Sequence, residues 1–149
     1  MKWSLKALVL LVLAGGLLLE VGVNQNSHSA ASAASGGVPS WLVSLVRQVA
    51  ANNGDAHPTN AQAVLTTRQR AVTLDSASRV DSDQPTYYVV LRGQFADTHA
   101  RTPDGRTIYG TVLTLTVDSA THRILDFGLS DRVPAVAQLG PVSDLADQL

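Results

Sequence analysis

The residues best suited to chemistry lie between Ala96 and Arg106, in the stretch ADTHARTPDGR. Asp97 and His99 could supply two metal ligands, or a general base and the carboxylate that orients it. A metal site needs further ligands, however, and the other histidines of the chain have no recognisable spacing to this pair. Long polar loops often carry binding residues. We therefore predict a polar loop in which Asp97, His99 and Arg101 are candidates for contact with a partner or ligand, and we assign no catalytic, cofactor-binding or metal residue.

A second candidate site is the pair of arginines in Gln62–Leu74, QAVLTTRQRAVTL. The β-branched residues of this stretch favour a strand, whereas its apolar spacing also permits a short helix at Arg70. We predict mainly strand, which would place Arg68 and Arg70 on one face, where they could grip a carboxylate or a phosphate. The same arginines could instead keep an exposed strand edge soluble.

The chain lacks the residue patterns on which many enzyme mechanisms rest. It contains no cysteine, which removes disulfides, thiolate zinc sites, iron–sulfur clusters and cysteine nucleophiles. It also contains no Gly-x-Ser-x-Gly elbow, no glycine-rich phosphate loop and no His-Glu-x-x-His helix. The sequence therefore does not favour an enzyme, and it predicts no cofactor.

The charge balance argues against a nucleic-acid partner. All 149 residues together carry a formal net charge of −1. Beyond residue 37 the chain holds nine arginines and eleven aspartates, with neither lysine nor glutamate, which gives this part a net charge of −2. A nucleic-acid binder needs a basic surface that displaces counterions from phosphates. The length fits a single domain, which we place at residues 38–149.

The N-terminal part of the sequence predicts export followed by a spacer. Lys2 and Lys6 precede the uncharged apolar run Ala7–Leu19, as in a secretory signal. As a helix, this run would span about 20 Å, less than the roughly 30 Å of a hydrocarbon core. We predict that residues 1–23 are either a cleaved signal peptide or an N-terminal membrane anchor, and that residues 24–37 form a flexible spacer. Both alternatives place the domain outside the cytoplasm, with membrane contact only through an uncleaved segment.

Periodic apolar residues predict one helix and an antiparallel sheet. Between Ser40 and Asn53 they recur at helical spacing, which indicates an amphipathic helix. Alternation predicts three strands, at 86–95, 109–117 and 124–129, with Tyr87, Val89, Leu91 and Phe95 facing the core and a hairpin turn around Asp118–His122. A helix and one face of a sheet must cover each other. The predicted fold is therefore α+β, with an N-terminal helix packed on a small antiparallel sheet.

The C-terminal segment predicts no long element. Residues 131–149 are interrupted by Pro134, Gly140 and Pro141. Its apolar residues, Val133, Val136 and Leu139, are expected to pack against the edge of the sheet. The strands themselves are expected to be half-buried, with one face on the helix.

The predicted hairpin resembles a known motif. The stretch Val112–Gly128, VLTLTVDSATHRILDFG, resembles the strand, Asp-x-x-Thr-Gly turn and strand that end PepSY-like domains of exported bacterial proteins. Asp118 and Thr121 match the turn, whereas His122 stands where that pattern has glycine. Such a turn requires a positive φ, which histidine adopts only at an energetic cost. The wider chain, with TTRQRAV and then Gly93-Gln94-Phe95, is similar to uncharacterised small exported bacterial proteins.

The resemblance implies a helix-on-sheet fold of PepSY or cystatin type and a role in inhibiting or regulating extracellular proteases. We therefore expect a noncatalytic extracytoplasmic binding or regulatory module whose partner is an unknown secreted or envelope protein. The alternative is a small-ligand-binding domain, or a simple enzyme, that uses the 97–106 loop and a concave face of the sheet.

Overall fold

The computed structural model of the chain describes residues 37–76, 78–100 and 102–149. The predicted export segment and all but the last residue of the predicted spacer lie outside these residues, and so does Arg101. Among the described residues, no helix combines the length and the apolar character needed to cross a membrane.

Two helices and five strands make up the described part of the chain. The helices are α1 (Ser40–Asn52) and α2 (Arg68–Asp75), and the strands are β1 (Asn60–Thr67), β2 (Pro85–Asp97), β3 (Ile108–Asp118), β4 (Ile124–Ser130) and β5 (Ser143–Asp144). The strands form one sheet in the order β4-β3-β2-β1-β5, and every neighbouring pair is antiparallel. The predicted α+β fold with an N-terminal helix and an antiparallel sheet is confirmed, but the described residues form two α-helices rather than one.

Helix α1 covers one side of the sheet, which we call the first face. Leu42, Val46 and Ala50 recur every four residues and are fully buried. This spacing places them on one side of the helix, against a cluster that includes Val89 and Leu115 of the sheet. The predicted amphipathic helix is confirmed with nearly its predicted bounds.

Helix α2 corrects the prediction that Gln62–Leu74 is mainly strand. Strand β1 ends at Thr67, whose extended backbone and side-chain Oγ1, 3.4 Å from the Arg70 nitrogen, form a helix N-cap. Arg68 and Arg70 therefore lie in the first turn of a helix and not on one face of a strand. The capping threonine outweighs the β-branched content on which the strand prediction rested.

The opposite side of the sheet, which we call the second face, is also covered. In β2, Tyr88 and Val90 are as deeply buried as Val89 and Leu91. The second face packs against α2 and against the C-terminal segment through Ala71, Leu74, Val136 and Leu139. Period-two alternation predicted the strand correctly, but the expectation of a half-buried strand was wrong because two elements cover its second face.

The C-terminal segment wraps around the β1 edge of the sheet. Val136 and Leu139 lie in the core of the second face, while Val133 stays 45% exposed. The chain then forms β5, which pairs with β1, and returns Leu145 to the core of the first face, where it is fully buried. The expected packing at a sheet edge is therefore more extensive than predicted, since this segment contributes to both cores.

The predicted hairpin of β3 and β4 is confirmed, and so is its unusual turn. The Asp118 Oδ1 accepts hydrogen bonds from the Ala120 and Thr121 nitrogens at 2.8 and 3.1 Å. Hydrogen bonds from the Thr121 hydroxyl and from these backbone groups hold the pKa of Asp118 below its ordinary value. His122 has a φ of 60°, the positive value that the glycine of the resembled motif would provide.

Candidate functional site

The two edges of the sheet differ in how they are covered. The β1 edge pairs with β5. Strand β4 pairs with β3 on one side, and no strand of the described part of the chain lies along its other side. An open edge presents unpaired N–H and C=O groups to any extended segment that approaches it. We call residues 123–132, which comprise β4 and its flanks, the β4 edge.

Apolar side chains make the β4 edge suited to protein contact. Ile124 and Phe127 are each 40% exposed. Phe127 lies opposite the fully buried Leu115 on β3, and Leu129 lies opposite Leu113. The apolar row of the first face thus continues from the core onto an open strand, where it remains partly exposed to solvent.

The charged residues of the β4 edge leave two arginines available. Arg123 and Arg132 flank the strand, and the ion pairs found within the described residues include neither of them. The carboxylate inside the strand, Asp126, is engaged elsewhere, because its Oδ2 lies 3.5 Å from the Arg68 Nε. The β4 edge therefore offers a guanidinium at each end.

Asp131, which precedes Arg132, is hydrogen-bonded to the neighbouring strand, and the ion pairs found within the described residues do not include it. Its Oδ1 accepts hydrogen bonds from the Thr111 nitrogen at 3.0 Å and from the Thr111 Oγ1 at 3.1 Å. These bonds hold the chain beyond β4 alongside the start of β3.

An aromatic stack anchors one end of the β4 edge to α1. The rings of Trp41 and His122 are stacked, with centroids 3.8 Å apart and planes 15° from parallel. Trp41 also meets Tyr87 edge to face at 5.7 Å. The positive φ of His122 lowers the stability of the fold, whereas the contact of its ring with Trp41 raises it. The stack fixes the turn from which β4 starts.

Substitutions at His122 should separate these two contributions. His122→Ala keeps the left-handed backbone penalty and loses the stack, so we expect a loss of about 1 kcal/mol in the free energy of unfolding. His122→Gly loses the stack but relieves a strain of about 1–2 kcal/mol, so its stability should remain close to that of the parent chain. Urea unfolding measures both. Equal stability of the alanine and glycine variants would contradict the assignment of strain to this position.

The predicted pair of Asp97 and His99 forms a local turn. The Asp97 Oδ1 accepts hydrogen bonds from the backbone nitrogens of His99 and Ala100, both at 2.9 Å. The carboxylate therefore holds the backbone rather than orienting the imidazole, which is exposed near Thr98. Within residues 37–76, 78–100 and 102–149, no group of three potential metal ligands lies together. Arg101, the third candidate of this loop, lies outside the described residues.

Arg68 and Arg70 contact different parts of the fold. The Arg68 guanidinium approaches Asp126 on β4, whereas the Arg70 Nη2 donates a hydrogen bond of 2.9 Å to the Gln138 carbonyl oxygen. Arg68 and Arg70 therefore do not form the joint anion-binding site that a strand would have allowed. Arg68 follows β1 beside the start of β2, and Asp97 ends β2, so the structure does not bring the two groups of candidates together.

A polar cluster that the sequence did not predict lies on the second face. The Tyr88 hydroxyl donates to the Asp75 Oδ1 at 3.1 Å, and the Thr114 hydroxyl donates to the Asp75 Oδ2 at 3.0 Å. Burial, followed by the charge of Asp75, raises the pKa of Tyr88 well above its ordinary value. Alternation could have placed Tyr88 and Thr114 on one face, but Asp75 joins them only because α2 folds across the sheet.

Comparisons of the chain with models of protein families, with curated proteins and with solved structures found no match. The PepSY-like resemblance of the hairpin stays a prediction.

Proposed function

We propose that the chain is a noncatalytic extracytoplasmic binding module that pairs its β4 edge with an extended segment of a secreted or envelope protein, and thereby regulates it in a PepSY-like manner. One observation carries this proposal. Within the described residues, the C-terminal segment closes the β1 edge and no strand covers the outer side of β4, where Ile124 and Phe127 are each 40% exposed.

Strand addition explains how such an edge would bind. The main-chain groups of β4 would supply hydrogen bonds, and the alternate apolar side chains of the partner would contact Phe127 and Ile124. Fully burying a side chain of this size contributes about 1.5–3 kcal/mol, so completing the burial of Phe127 would be a major apolar term. The main-chain hydrogen bonds do not depend on the sequence of the partner. The side chains at the β4 edge would therefore determine which partner binds.

The charges at the two ends of β4 indicate which kind of partner segment would fit. Arg123 and Arg132 flank the strand without a carboxylate partner in the described part of the chain. Inward-pointing charges protect many edge strands from unwanted pairing, but Asp126 points to the second face and forms an ion pair of 3.5 Å with Arg68. The segment we expect is extended, alternately apolar, and acidic at its ends.

The extracytoplasmic location rests on Lys2, Lys6 and the apolar run Ala7–Leu19. Cell fractionation with N-terminal sequencing tests it. We expect the chain in the envelope or the medium, and recovery from the cytoplasm would overturn this part of the proposal.

Peptide binding tests the β4 edge directly. The probe is a synthetic peptide long enough to cover β4, with alternating valine and threonine and an aspartate at each end. We expect it to bind, and we expect about tenfold weaker binding, or about 1.4 kcal/mol, when lysines replace the aspartates. A proline at its centre should abolish binding because it removes a main-chain donor. Phe127→Asp should weaken binding at least as much as the lysine replacement.

The matched control is Val142→Asp, because Val142 is 39% exposed and lies just before β5, at the opposite edge of the sheet. This variant should bind the peptide like the parent chain. Failure of the parent chain to bind, or equal binding by the Phe127→Asp variant, would overturn the proposal. Sedimentation that shows a dimer dissociated by Phe127→Asp would assign the edge to a second copy of the chain and would also overturn it.

A further inference from the structure

A cavity of about 330 Å³ opens on the second face, beside the end of α2. It lies among α2, the sheet strands β3 and β4, and the C-terminal segment, and its lining includes Leu74, Asp75, Thr114, Gly128, Arg132 and Pro134. The proposed function involves one residue of this lining, Arg132, but it does not use the cavity itself. Its lining includes an aspartate, an arginine and apolar residues, which is the composition of many small-molecule sites.

The carboxylate of Asp75 is fixed at the cavity. Tyr88, which is fully buried, and Thr114, which is 4% exposed, each donate a hydroxyl hydrogen bond to it. Asp75 itself is exposed to solvent, so a ligand can reach it. Each carboxylate oxygen accepts one of these bonds and retains capacity for another donor.

The position of Asp75 in the helix also favours a cation. Asp75 is the last residue of α2, and the last turn contains no basic residue. The C-terminal end of a helix carries a partial negative charge, so an aspartate there is unfavourable without a positive partner. An ammonium group bound at Asp75 would offset both the charge of the carboxylate and the partial negative charge at the C-terminal end of α2.

Gly128 keeps the floor of the cavity open. A Cβ at this position would lie 2.6 Å from the Thr114 Oγ1 and 3.4 Å from the Asp75 Oδ2. Any larger residue would therefore push against the hydroxyl that positions the carboxylate. The space that a ligand needs beside Asp75 depends on this glycine.

Arg132 supplies the opposite charge in the same cavity. The ion pairs within residues 37–76, 78–100 and 102–149 join Arg68 to Asp126 and Arg106 to Asp104, so Arg132 and Asp75 are not paired with each other. Two opposite charges that line one cavity without neutralising each other can be satisfied together by a ligand that carries both. The apolar lining, which includes Leu74 and Pro134, suits a hydrocarbon body.

We propose that this cavity binds a small zwitterion of the α-amino acid class, with its ammonium group at Asp75, its carboxylate at Arg132 and an aliphatic side chain against Leu74 and Pro134. Arginine is well suited to the second role because its planar guanidinium can bind a carboxylate through two parallel hydrogen bonds.

Three probes of matched shape test the proposal by titration calorimetry. L-valine carries both charges, isobutylamine lacks the carboxylate and isovalerate lacks the ammonium group. We expect L-valine to bind at least about tenfold more tightly than either analogue. Equal affinity for L-valine and isobutylamine would overturn the role of Arg132, and failure of L-valine to bind would overturn the site.

Variants locate the binding in this cavity. Asp75→Asn retains a hydrogen-bond acceptor but loses the charge, and Arg132→Gln loses the guanidinium, so each should weaken L-valine binding at least about tenfold. The control is Arg92→Gln, since Arg92 is an exposed arginine outside this cavity, and it should bind L-valine like the parent chain. NMR spectra check that the variants remain folded. Unchanged affinity in a folded Asp75→Asn variant would overturn the proposal.

Discussion

Replacing Val90 by aspartate should unfold the domain or destabilise it by several kcal/mol, because a carboxylate would be buried without a partner. Val90 is 2% exposed and lies in the core of the second face, with Val64, Tyr88 and Val112. The whole net stability of a domain is about 5–15 kcal/mol, so a loss of this size is decisive. Urea unfolding followed by circular dichroism measures it.

The matched control for this substitution is Arg92→Asp. Arg92 is two residues further along the same strand and is exposed, so its replacement should change the free energy of unfolding by no more than about 0.5 kcal/mol. A folded Val90→Asp variant with the stability of the control would show that the second face is open to solvent, as in a half-buried strand.

Leu145→Ala should cost about 2–5 kcal/mol of stability, the usual range for removing a fully buried leucine side chain. Leu145 is 0% exposed although it lies only four residues from the end of the sequence. Its nitrogen donates a 2.8 Å hydrogen bond to the Ala61 carbonyl oxygen on β1. This bond fixes the backbone at the β1 edge, and the Leu145 side chain lies in the core of the first face. Thermal and urea unfolding both report the loss.

Val142→Ala provides the comparison, since Val142 is 39% exposed in the same segment. We expect it to have nearly the stability of the parent chain. Equal effects of the two substitutions would contradict the docking of the C-terminal segment on the first face. Equal effects would also remove the contrast, within the described residues, between a β1 edge that is paired with β5 and a β4 edge that has no second strand beside it.

Features that depend on neighbouring residues could be predicted from the sequence. The spacing of Leu42, Val46 and Ala50 indicates α1, and alternation indicates the strands of the hairpin. The match of Asp118 and Thr121 to a known turn placed a positive φ at His122, which the structure has. These signals are local, so a single sequence carries them.

Features that depend on distant residues could not be predicted in this way. The second face is buried by α2 and by a C-terminal segment too short to show a period. Helix α2 is a different case, because its capping contact joins Thr67 to Arg70, three residues apart, and the sequence permits a short helix at Arg70. The position of β4 at an edge of the described sheet follows from the order of the strands, which no local pattern encodes.

The candidate sites show the same division. Asp97 and His99 are candidates because they are close in sequence, but residues this close form a local turn, in which the Asp97 carboxylate accepts a hydrogen bond from the His99 nitrogen. The cluster of Asp75, Tyr88 and Thr114 has residues far apart in the chain, and it forms only when α2 lies across the sheet.

Amide hydrogen exchange with and without the acidic-ended peptide is the most direct test of docking at the β4 edge. Strand addition predicts slower exchange at amides of β4, residues 124–130, when the peptide is bound, because the open side of the strand gains hydrogen bonds. The amides of β5, residues 143–144, should exchange at unchanged rates. Unchanged exchange in β4, or equal slowing in β4 and β5, would contradict the assignment of β4 as the binding edge.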